Sequence, residues 1–425
     1  PSHPLSEFFD LDTVVNNGRV FSQYPPGHTV LLMLGDWIGA PWLVGPVLGA
    51  ATVPALYALG KQTYGESTGR LAAFLLVLSP FFLLMSGEFY NHTSSFLFLT
   101  LFLLHHARFT ESPDRRTAVG AGLWLGLALL SRPLTALAVS APCALHTLLT
   151  SLRKRDTRRW QAVGLGAATV LVFVGVLLLY NRQTTGAFFS FAYGQAVGPG
   201  FGFSEEIDWM RSLSRVIAMN NDLLGWALPG LALPLFVFLR AKTEPWDYLF
   251  AAVFFALVLA YLPAGYPDRE FGPRYLYESL GALLLLSARG LLTIHEGLGR
   301  LAGRSLQRDR VRQSAGAMVG VTFLLTFILA WPPRLELYDS PQWRWAYRDD
   351  VVTSVRSRGI ENALVFVEGE RIWASTFLAN RLDFDTASVI YARNLGERNV
   401  ELMRYYPGRS YFLADSTGLE PLWPD

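Results

Sequence analysis

The chain has 425 residues, of which 51% are hydrophobic and only 16% are charged. Because soluble proteins carry about 25% charged residues, this composition indicates a membrane protein. The net charge of +2 is too small to indicate a nucleic-acid partner, and the single cysteine, Cys143, excludes an intrachain disulfide.

The polar residues 1–27 predict an irregular loop on the outer side of the membrane, and we expect a further N-terminal piece before Pro1. His28 to Gly39 is short and amphipathic, which is typical of a helix that lies at the membrane interface. Apolar runs of the length of a membrane span follow at about 41–60, 71–88, 93–108, 160–181, 223–240, 246–264, 276–294 and 314–331.

The run 117–150 predicts two short spans that meet at the outer surface and are broken at Ser131-Arg132-Pro133. Proline disfavours a continuous helix there, and Arg132 is unfavourable deep in lipid. This reading gives about ten spans and places all the basic connectors inside, as the positive-inside rule requires. These connectors are 61–70, 109–116, 151–159, 240–245 and 295–313. A single span at 117–150 would put the heavily basic connectors 151–159 and 295–313 outside, which the positive-inside rule disfavours.

Residues 334–425 are polar and predict a small α/β domain on the outer side. Strands are expected at Ala363 to Val367, Ser388 to Ala392 and Ser410 to Ala414, and helices at about 345–358 and 397–405. The predicted fold class is therefore an α-helical polytopic membrane protein over 1–333, followed by a small extracytoplasmic α/β domain.

Candidate chemistry lies in the outer loops, which are 1–27, 88–92, 182–222 and 265–275. In the first loop, Glu7, Asp10 and Asp12 are carboxylates beside the membrane, where one can act as a general base. The alternative is a solvated acidic loop. Asp10 and Asp12 would face the same side on a strand but not on a helix.

Tyr24-Pro25-Pro26-Gly27-His28 predicts a rigid turn into the interfacial helix, in which His28 either donates to a phosphate or caps the turn. Glu88 and His92 would share a helix face and can bind a metal ion or a diphosphate-like head group. Two ligands are too few to assign a metal. Arg132 either binds phosphate or reaches the outer interface to hydrate its charge.

The two remaining outer loops differ in composition. The loop 182–222 is rich in glycine and aromatic residues, which suits a lid over a lipid or a sugar. The loop 265–275 is the densest polar cluster between two spans. Arg269 and Arg274 in it are candidate anion binders, and Glu278 begins the next span.

The acidic first loop followed by Gly18-Arg19-Val20-Phe21-Ser22-Gln23-Tyr24-Pro25-Pro26-Gly27-His28 and an apolar helix resembles the start of the GT-C glycosyltransferases. The similarity is closest to the branch of the protein O-mannosyltransferases and the lipid A aminoarabinose transferase. Leu130-Ser131-Arg132-Pro133 and Gly272-Pro273-Arg274-Tyr275 are also similar to motifs of that branch. The resemblance covers chiefly the membrane part.

This resemblance implies a GT-C fold and an inverting transfer of a sugar from a polyprenyl-phosphate donor. The acceptor, a lipid, glycan or protein, would lie on the outer face. The base would be a first-loop carboxylate, with Asp10 favoured over Asp12 and Glu7, and Glu88 would be a second acidic position. The donor phosphate, as leaving group, would be held by three arginines: Arg132, Arg269 and Arg274. No cofactor follows with certainty, and a divalent metal ion stays an open alternative.

Two other classes of function compete with this hypothesis. A non-enzymatic lipid or glycolipid transporter, or flippase, would use the same residues for binding but predicts charges near the bilayer midplane. The charges here concentrate at the outer ends of the spans instead. A receptor or assembly subunit would act through 334–425, where no ligand spacing is recognisable. In every case we expect an integral protein of a bacterial inner or plasma membrane, with membrane lipids around it.

Overall fold

The computed structural model describes residues 3–423 with internal gaps. The gaps are 11–13, 17–19, 155, 194–206, 226–228, 241, 265–271, 302–319, 323, 330, 334, 337–349, 369–375, 377–378, 381–382, 385 and 416–417. The chain forms two compact units. The helical unit comprises Pro25–Gln183 and Gly202–Pro332, and the sheet unit comprises Pro1–Tyr24, Thr184–Phe201 and Pro333–Asp425. The sheet unit therefore includes the first loop as well as the C-terminal segment.

The helical unit is built from helices whose interior faces are almost entirely apolar. Its described helices are α1 (Pro26–Trp37), α2 (Val44–Tyr64), α3 (Glu66–Leu78), α4 (Pro80–Ser86), α5 (His92–Glu111), α6 (Arg115–Ser131), α7 (Pro133–Lys154), α8 (Thr157–Thr185), α9 (Trp209–Asp222), α10 (Ala232–Arg240), α11 (Pro245–Ala260) and α12 (Leu280–Leu301). Helices α5 and α12 are the most deeply buried, and side chains such as Phe96, Leu99, Leu284 and Leu285 form the centre of the core.

Several described helices are long and apolar enough to cross a membrane, which makes this an integral membrane protein. Four described helical segments are each long and apolar enough to form a membrane span: Pro41–Tyr64, Pro133–Lys154, Thr157–Thr185 and Arg274–Gly297. Helices α3 and α4 together would make a fifth. The sequence predicted one continuous run at 71–88, whereas the structure bends by 65° between these two helices. The bend follows from Pro80, which begins α4, while the Ser79 hydroxyl caps it.

The predicted break at Ser131-Arg132-Pro133 is confirmed. Helix α6 ends at Ser131, Pro133 begins α7, and Arg132 between them has φ −145° and ψ 84°, outside the helical region. A residue before proline is disfavoured in the α conformation, so the sequence dictates the break. It leaves the Arg132 side chain at a junction between two helices.

Gly27, in the first turn of α1, allows this helix to pack directly on the end of α6. A Cβ atom at Gly27 would lie 2.7 Å from the carbonyl carbon and oxygen of Leu130 and 2.8 Å from Ser131 Oγ. The sequence predicted that glycine serves a tight turn here. The structure gives close approach of two backbones as the physical reason instead.

We expect Gly27→Val to destabilise the helical unit by about 1–3 kcal/mol, because added atoms in a packed contact force the backbones apart. Thermal unfolding of the purified protein in detergent measures this. Gly175→Val is the matched control, since a Cβ there meets no atom within 4 Å. Equal losses of stability in the two variants would contradict the close-approach explanation.

The sheet unit contains a four-stranded mixed sheet. Its described strands are β3 (Ala363–Val367), β4 (Val389–Arg393), β5 (Ser410–Ala414) and β6 (Leu419–Pro421), after the short hairpin β1 (Val14–Asn16) and β2 (Val20–Ser22). The strand order is β4-β3-β5-β6, with β3 parallel to β4 and β5, and β6 antiparallel to β5. Helices α13 (Asp350–Ser357) and α14 (Asn399–Tyr405) accompany it. The predicted strands are confirmed to within one residue, as is the α/β alternation.

The first loop packs into the core of this sheet unit. Alternate residues of β3 face opposite sides, so Leu364 and Phe366 lie on one side and Val365 on the other. Phe8, which is fully buried, packs on the first side, with its ring centroid 6.3 Å from that of Phe366. His3 Nε2 lies 3.0 Å from the hydroxyl of Tyr406 at the end of α14. The N-terminal segment is therefore a structural part of the sheet unit.

Candidate active site

Arg132 turns its guanidinium into the interior of the helical unit, where 9% of the residue is exposed. Nε donates to Thr135 Oγ1 at 3.1 Å, Nη1 donates to Asn91 Oδ1 at 3.1 Å, and Nη2 donates to the hydroxyl of Tyr261 at 3.0 Å. The Thr135 and Tyr261 hydroxyls share a further hydrogen bond of 2.6 Å. All three nitrogens of the guanidinium are thus engaged by the protein itself.

A buried carboxylate neutralises this guanidinium. Arg132 Nε lies 3.0 Å from Glu278 Oε1, and Glu278 is only 3% exposed. His92 Nε2 lies 3.0 Å from Arg132 Nη1 and must accept, because a guanidinium has only donors. The proton of a neutral His92 is therefore on Nδ1, which lies 3.5 Å from Glu278 Oε1. The three side chains join the helix break, the start of α5 and the short 3-10 helix (Arg274–Ser279) before α12.

The segment between α4 and α5 is held by its flanking helices. His28 Nε2 donates to the carbonyl of Phe89 at 3.0 Å, while Nδ1 faces Ser94 Oγ at 3.1 Å. Burial lowers the pKa of His28 to about 4, against a smaller opposite effect of the bond to Phe89, so the ring is neutral at pH 7. Asn91 Nδ2 also donates to the carbonyl of Ser131 at 3.1 Å. Glu88 lies within this fixed segment and is half-buried.

Arg274 is buried and lies over the face of Tyr90, with its Cζ atom 5.0 Å from the ring centroid. Arg274 is close enough to His92 for its positive charge to act on that ring, and the neutral His28 lies nearby. The helical unit therefore brings together five residues that the sequence had singled out across 250 positions of chain, namely His28, His92, Arg132, Arg274 and Glu278.

Sequence reasoning missed the tyrosines and one arginine that support this group. Tyr261 stacks in parallel on Tyr275 at 4.6 Å between centroids, and Arg215 lies over Tyr275 at 5.2 Å. Arg215 Nη1 and Nη2 donate at 2.8 Å to the carbonyls of Tyr261 and Ala264, beyond the end of α11. Cations favour that end of a helix. The signal available in the sequence was the amphipathic pattern of 209–222, the stretch that contains Arg215.

The remaining predicted residues lie in the sheet unit or outside the described part of the chain. Asp10 follows the 3-10 helix Ser6–Phe9 in extended conformation. Glu7 is exposed and accepts a hydrogen bond from Arg398 Nη1. The Tyr24 ring meets the edge of Tyr193 at 5.7 Å. Asp12 and Arg269 belong to undescribed segments.

Among the residues with described positions, no group of three or more His, Cys, Asp or Glu side chains is arranged to hold a metal ion. Glu88 and His92, which the sequence offered as a pair of ligands, therefore gain no third ligand from this part of the chain.

Residues 30–180 match the sequence model of a family described as dolichyl-phosphate-mannose-protein mannosyltransferase. Over this segment the chain is similar to a family of membrane glycosyltransferases. The matched segment includes His92 and Arg132 of the buried group. The match confirms the resemblance to this branch that the sequence motifs indicated.

The fold of this chain is similar to that of ArnT from Cupriavidus metallidurans. The structure of that protein in the apo state matches with a TM-score of 0.61 and 14% identity, covering 96% of this chain and 85% of ArnT. The structure of the same protein bound to undecaprenyl phosphate matches with a TM-score of 0.62 and 14% identity, covering 95% and 85%. A comparison of the sequence with curated proteins finds no match.

Proposed function

We propose that this transferase moves a sugar from a polyprenyl-phosphate donor to an acceptor on the outer face of the membrane, with inversion at the anomeric carbon. The observation that carries the proposal is the buried group around His92, which includes Arg132 and Arg274, in a chain whose residues 30–180 match a glycosyltransferase family. The donor leaves as a phosphate, and fixed positive charge stabilises the negative charge that develops on it. The binding of undecaprenyl phosphate by the structurally similar ArnT adds support.

Within this group we assign different roles to the two described arginines. Arg132 is neutralised by Glu278 and bonded to three uncharged side chains, so it fixes the geometry of the site. Arg274 lies over the Tyr90 ring at cation–π distance, a contact that helps to hold its guanidinium in place. A planar fork of donors suits a phosphate, and Arg274 is therefore our choice for the phosphate contact, with Arg269 as its companion in the same loop.

The base in this proposal is a carboxylate of the first loop, Asp10 in preference to Asp12. It takes the proton of the acceptor hydroxyl, and the oxygen attacks the anomeric carbon from the face opposite the phosphate. The bond from that carbon to the phosphate oxygen breaks, and the phosphate leaves with the electron pair. Glu88, Glu7 and Tyr24 would line the acceptor or sugar side of the site.

The topology in this proposal has about ten spans, with the basic connectors inside. The transferase region is 1–333, and 334–425 forms an extracytoplasmic domain for support or acceptor recognition. The loop 182–222 covers the site, while the lipid tail lies between spans. Basic residues lie at the C-terminal ends of α5 and α7 and at the N-terminal ends of α6 and α8, and they favour this orientation. The orientation suits a bacterial plasma membrane.

A transfer assay with purified protein and radiolabelled polyprenyl-phosphate sugars tests the proposal. We expect Asp10→Asn to lower turnover by about 10²- to 10⁴-fold through loss of the base, with donor binding kept. Arg274→Ala should weaken donor binding and lower turnover by about 10²- to 10³-fold, since it removes charge from the leaving group.

Glu401→Gln is the matched control, because Glu401 is an exposed carboxylate of the sheet unit that pairs with Arg398 and has no role in the proposed site. Its turnover should stay close to that of the unmodified protein. Full turnover in Asp10→Asn and Asp12→Asn would refute the assignment of the base. Unchanged donor affinity in folded Arg274→Ala would refute the phosphate contact.

A further inference from the structure

Arg159 is a buried arginine far from the group around His92. It lies in the first turn of α8, and only 1% of the residue is exposed. Nε donates to Ser151 Oγ and Nη2 donates to Thr150 Oγ1, both at 3.0 Å, and Cζ lies 5.1 Å from the centroid of the Phe109 ring. Phe109 is near the end of α5, whose 20 residues span about 30 Å, so Arg159 and His92 lie at opposite ends of that helix.

Arg159 lacks the carboxylate partner that the buried Arg132 has in Glu278. Nη1 is enclosed and has no hydrogen-bond acceptor. Within the described part of the chain, no carboxylate oxygen lies within 4 Å of its guanidinium. By contrast, Arg289 contacts Asp247 at 2.9 Å and Glu244 at 2.7 Å. A buried charge with neutral partners and one unused donor is unfavourable unless an anion completes it.

Exposed basic side chains surround the same end of the helical unit. They come from the end of α5, the start of α6, the end of α7 and the start of α8, and are Arg108, Arg115, Arg116, Arg153, Lys154 and Arg158. Two nearby carboxylates are used locally: Asp114 accepts from the backbone N–H of Thr117, and Asp156 accepts from that of Arg158. The excess of positive charge at this end draws anions toward it.

We infer that Arg159 and its hydroxyl partners form a binding site for a phosphate-bearing anion, supplied by an anionic lipid of the inner leaflet or by free phosphate. The phosphate would accept from Nη1, and the Ser151 and Thr150 hydroxyls provide neutral hydrogen-bonding groups beside it. Since both partners are uncharged, the guanidinium can turn toward the helix ends without breaking an ion pair. Basic pockets between the ends of membrane helices bind lipid head groups in this manner.

Thermal unfolding of the purified full chain in a zwitterionic or uncharged detergent tests this site without reference to sugar transfer. Phosphatidylglycerol, phosphatidylcholine and inorganic phosphate are titrated separately, and the shift of the unfolding midpoint is measured. We expect phosphatidylglycerol to raise the midpoint more than phosphatidylcholine. In Arg159→Met the half-saturating concentration of phosphatidylglycerol should rise by about fivefold, as one lost basic contact predicts.

Two further variants make the test specific. Arg70→Gln removes one positive charge from an exposed arginine already paired with Glu66, and should keep the full response. Arg159→Lys keeps the positive charge and should retain the greater part of the response to phosphatidylglycerol. This variant preserves the test if Arg159→Met folds poorly.

The outcomes separate the two sources of phosphate. A response to phosphatidylglycerol alone that needs Arg159 assigns the site to a lipid, and an Arg159-dependent response to inorganic phosphate assigns it to a soluble anion. Equal responses in the unmodified protein and Arg159→Met, or an equal loss in Arg70→Gln, would overturn the inference.

Discussion

Replacing Arg132 by methionine is expected to destabilise the helical unit by about 3–5 kcal/mol. The loss arises because Glu278, which is fully enclosed, would be left as a buried charge without its counter-ion. Asn91, His92 and Tyr261 would also lose a hydrogen bond each. Unfolding of the purified protein by heat or by a denaturing detergent measures the change.

The double variant Arg132→Met with Glu278→Leu should be more stable than either single variant. Removing both charges leaves no uncompensated carboxylate, and apolar side chains of similar volume often replace a buried ion pair with little loss. A double-mutant cycle reports the coupling between the two residues. Strictly additive losses would show that the two charges act independently and would contradict the ion pair described above.

The same substitution separates stability from catalysis. The segment that carries Glu88 is fixed through the residues that follow it. His28 donates to the carbonyl of Phe89, and Arg132 donates to Asn91 and His92. We expect the double variant to keep the fold but to lose the hydrogen bonds that Arg132 makes with Asn91 and His92. We therefore expect it to remain folded while its turnover with a polyprenyl-phosphate sugar falls well below that of the unmodified protein. Full turnover in the double variant would show that the position of this segment is unimportant.

Phe8→Ala is expected to destabilise the sheet unit by about 3–5 kcal/mol, the usual range for truncating a fully buried phenylalanine. The side chain fills the space beside Leu364 and Phe366, and its removal leaves a cavity between the first loop and the sheet. Because Asp10 is two residues away, its position depends on this packing. Turnover should therefore fall even though no proposed catalytic group has changed.

Limited proteolysis and transfer activity, measured side by side, test this prediction. Trp423→Ala is the matched control, because Trp423 belongs to the same unit and is 81% exposed. Phe8→Ala should become sensitive to protease near both ends of the chain, with donor binding retained. A variant with normal protection and normal turnover would refute a supporting role of the sheet unit for the first loop.

The local fold was predictable where a short signal dictated it. The strands Ala363–Val367 and Ser410–Ala414 are runs of apolar residues between turn signals, and they occur as predicted. The break at Arg132 follows from proline alone. The bend at Ser79-Pro80 carried a similar signal, but the surrounding residues are so apolar that hydropathy suggested one continuous span.

The partners of the candidate residues were not predictable in the same way. Glu278 and Arg132 were each singled out as charges at the ends of apolar runs, but their pairing depends on how distant helices pack. Tyr261 carries no charge, and its hydroxyl becomes important only because Arg132 points at it. The anchoring of Phe8 in the C-terminal sheet is likewise a contact between segments with no common sequence signal.

The pairing of the first loop with the last strands has a consequence for biosynthesis. His3 meets Tyr406 across 403 positions of chain. At about 5–20 residues per second, the ribosome makes the partners of the N-terminal segment some 20–80 s after the segment itself. Every membrane helix of the transferase is synthesised in that interval. The first loop, which carries the proposed base, would thus reach its folded position only at the end of translation, and the proposal implies that an incomplete chain would be inserted but inert.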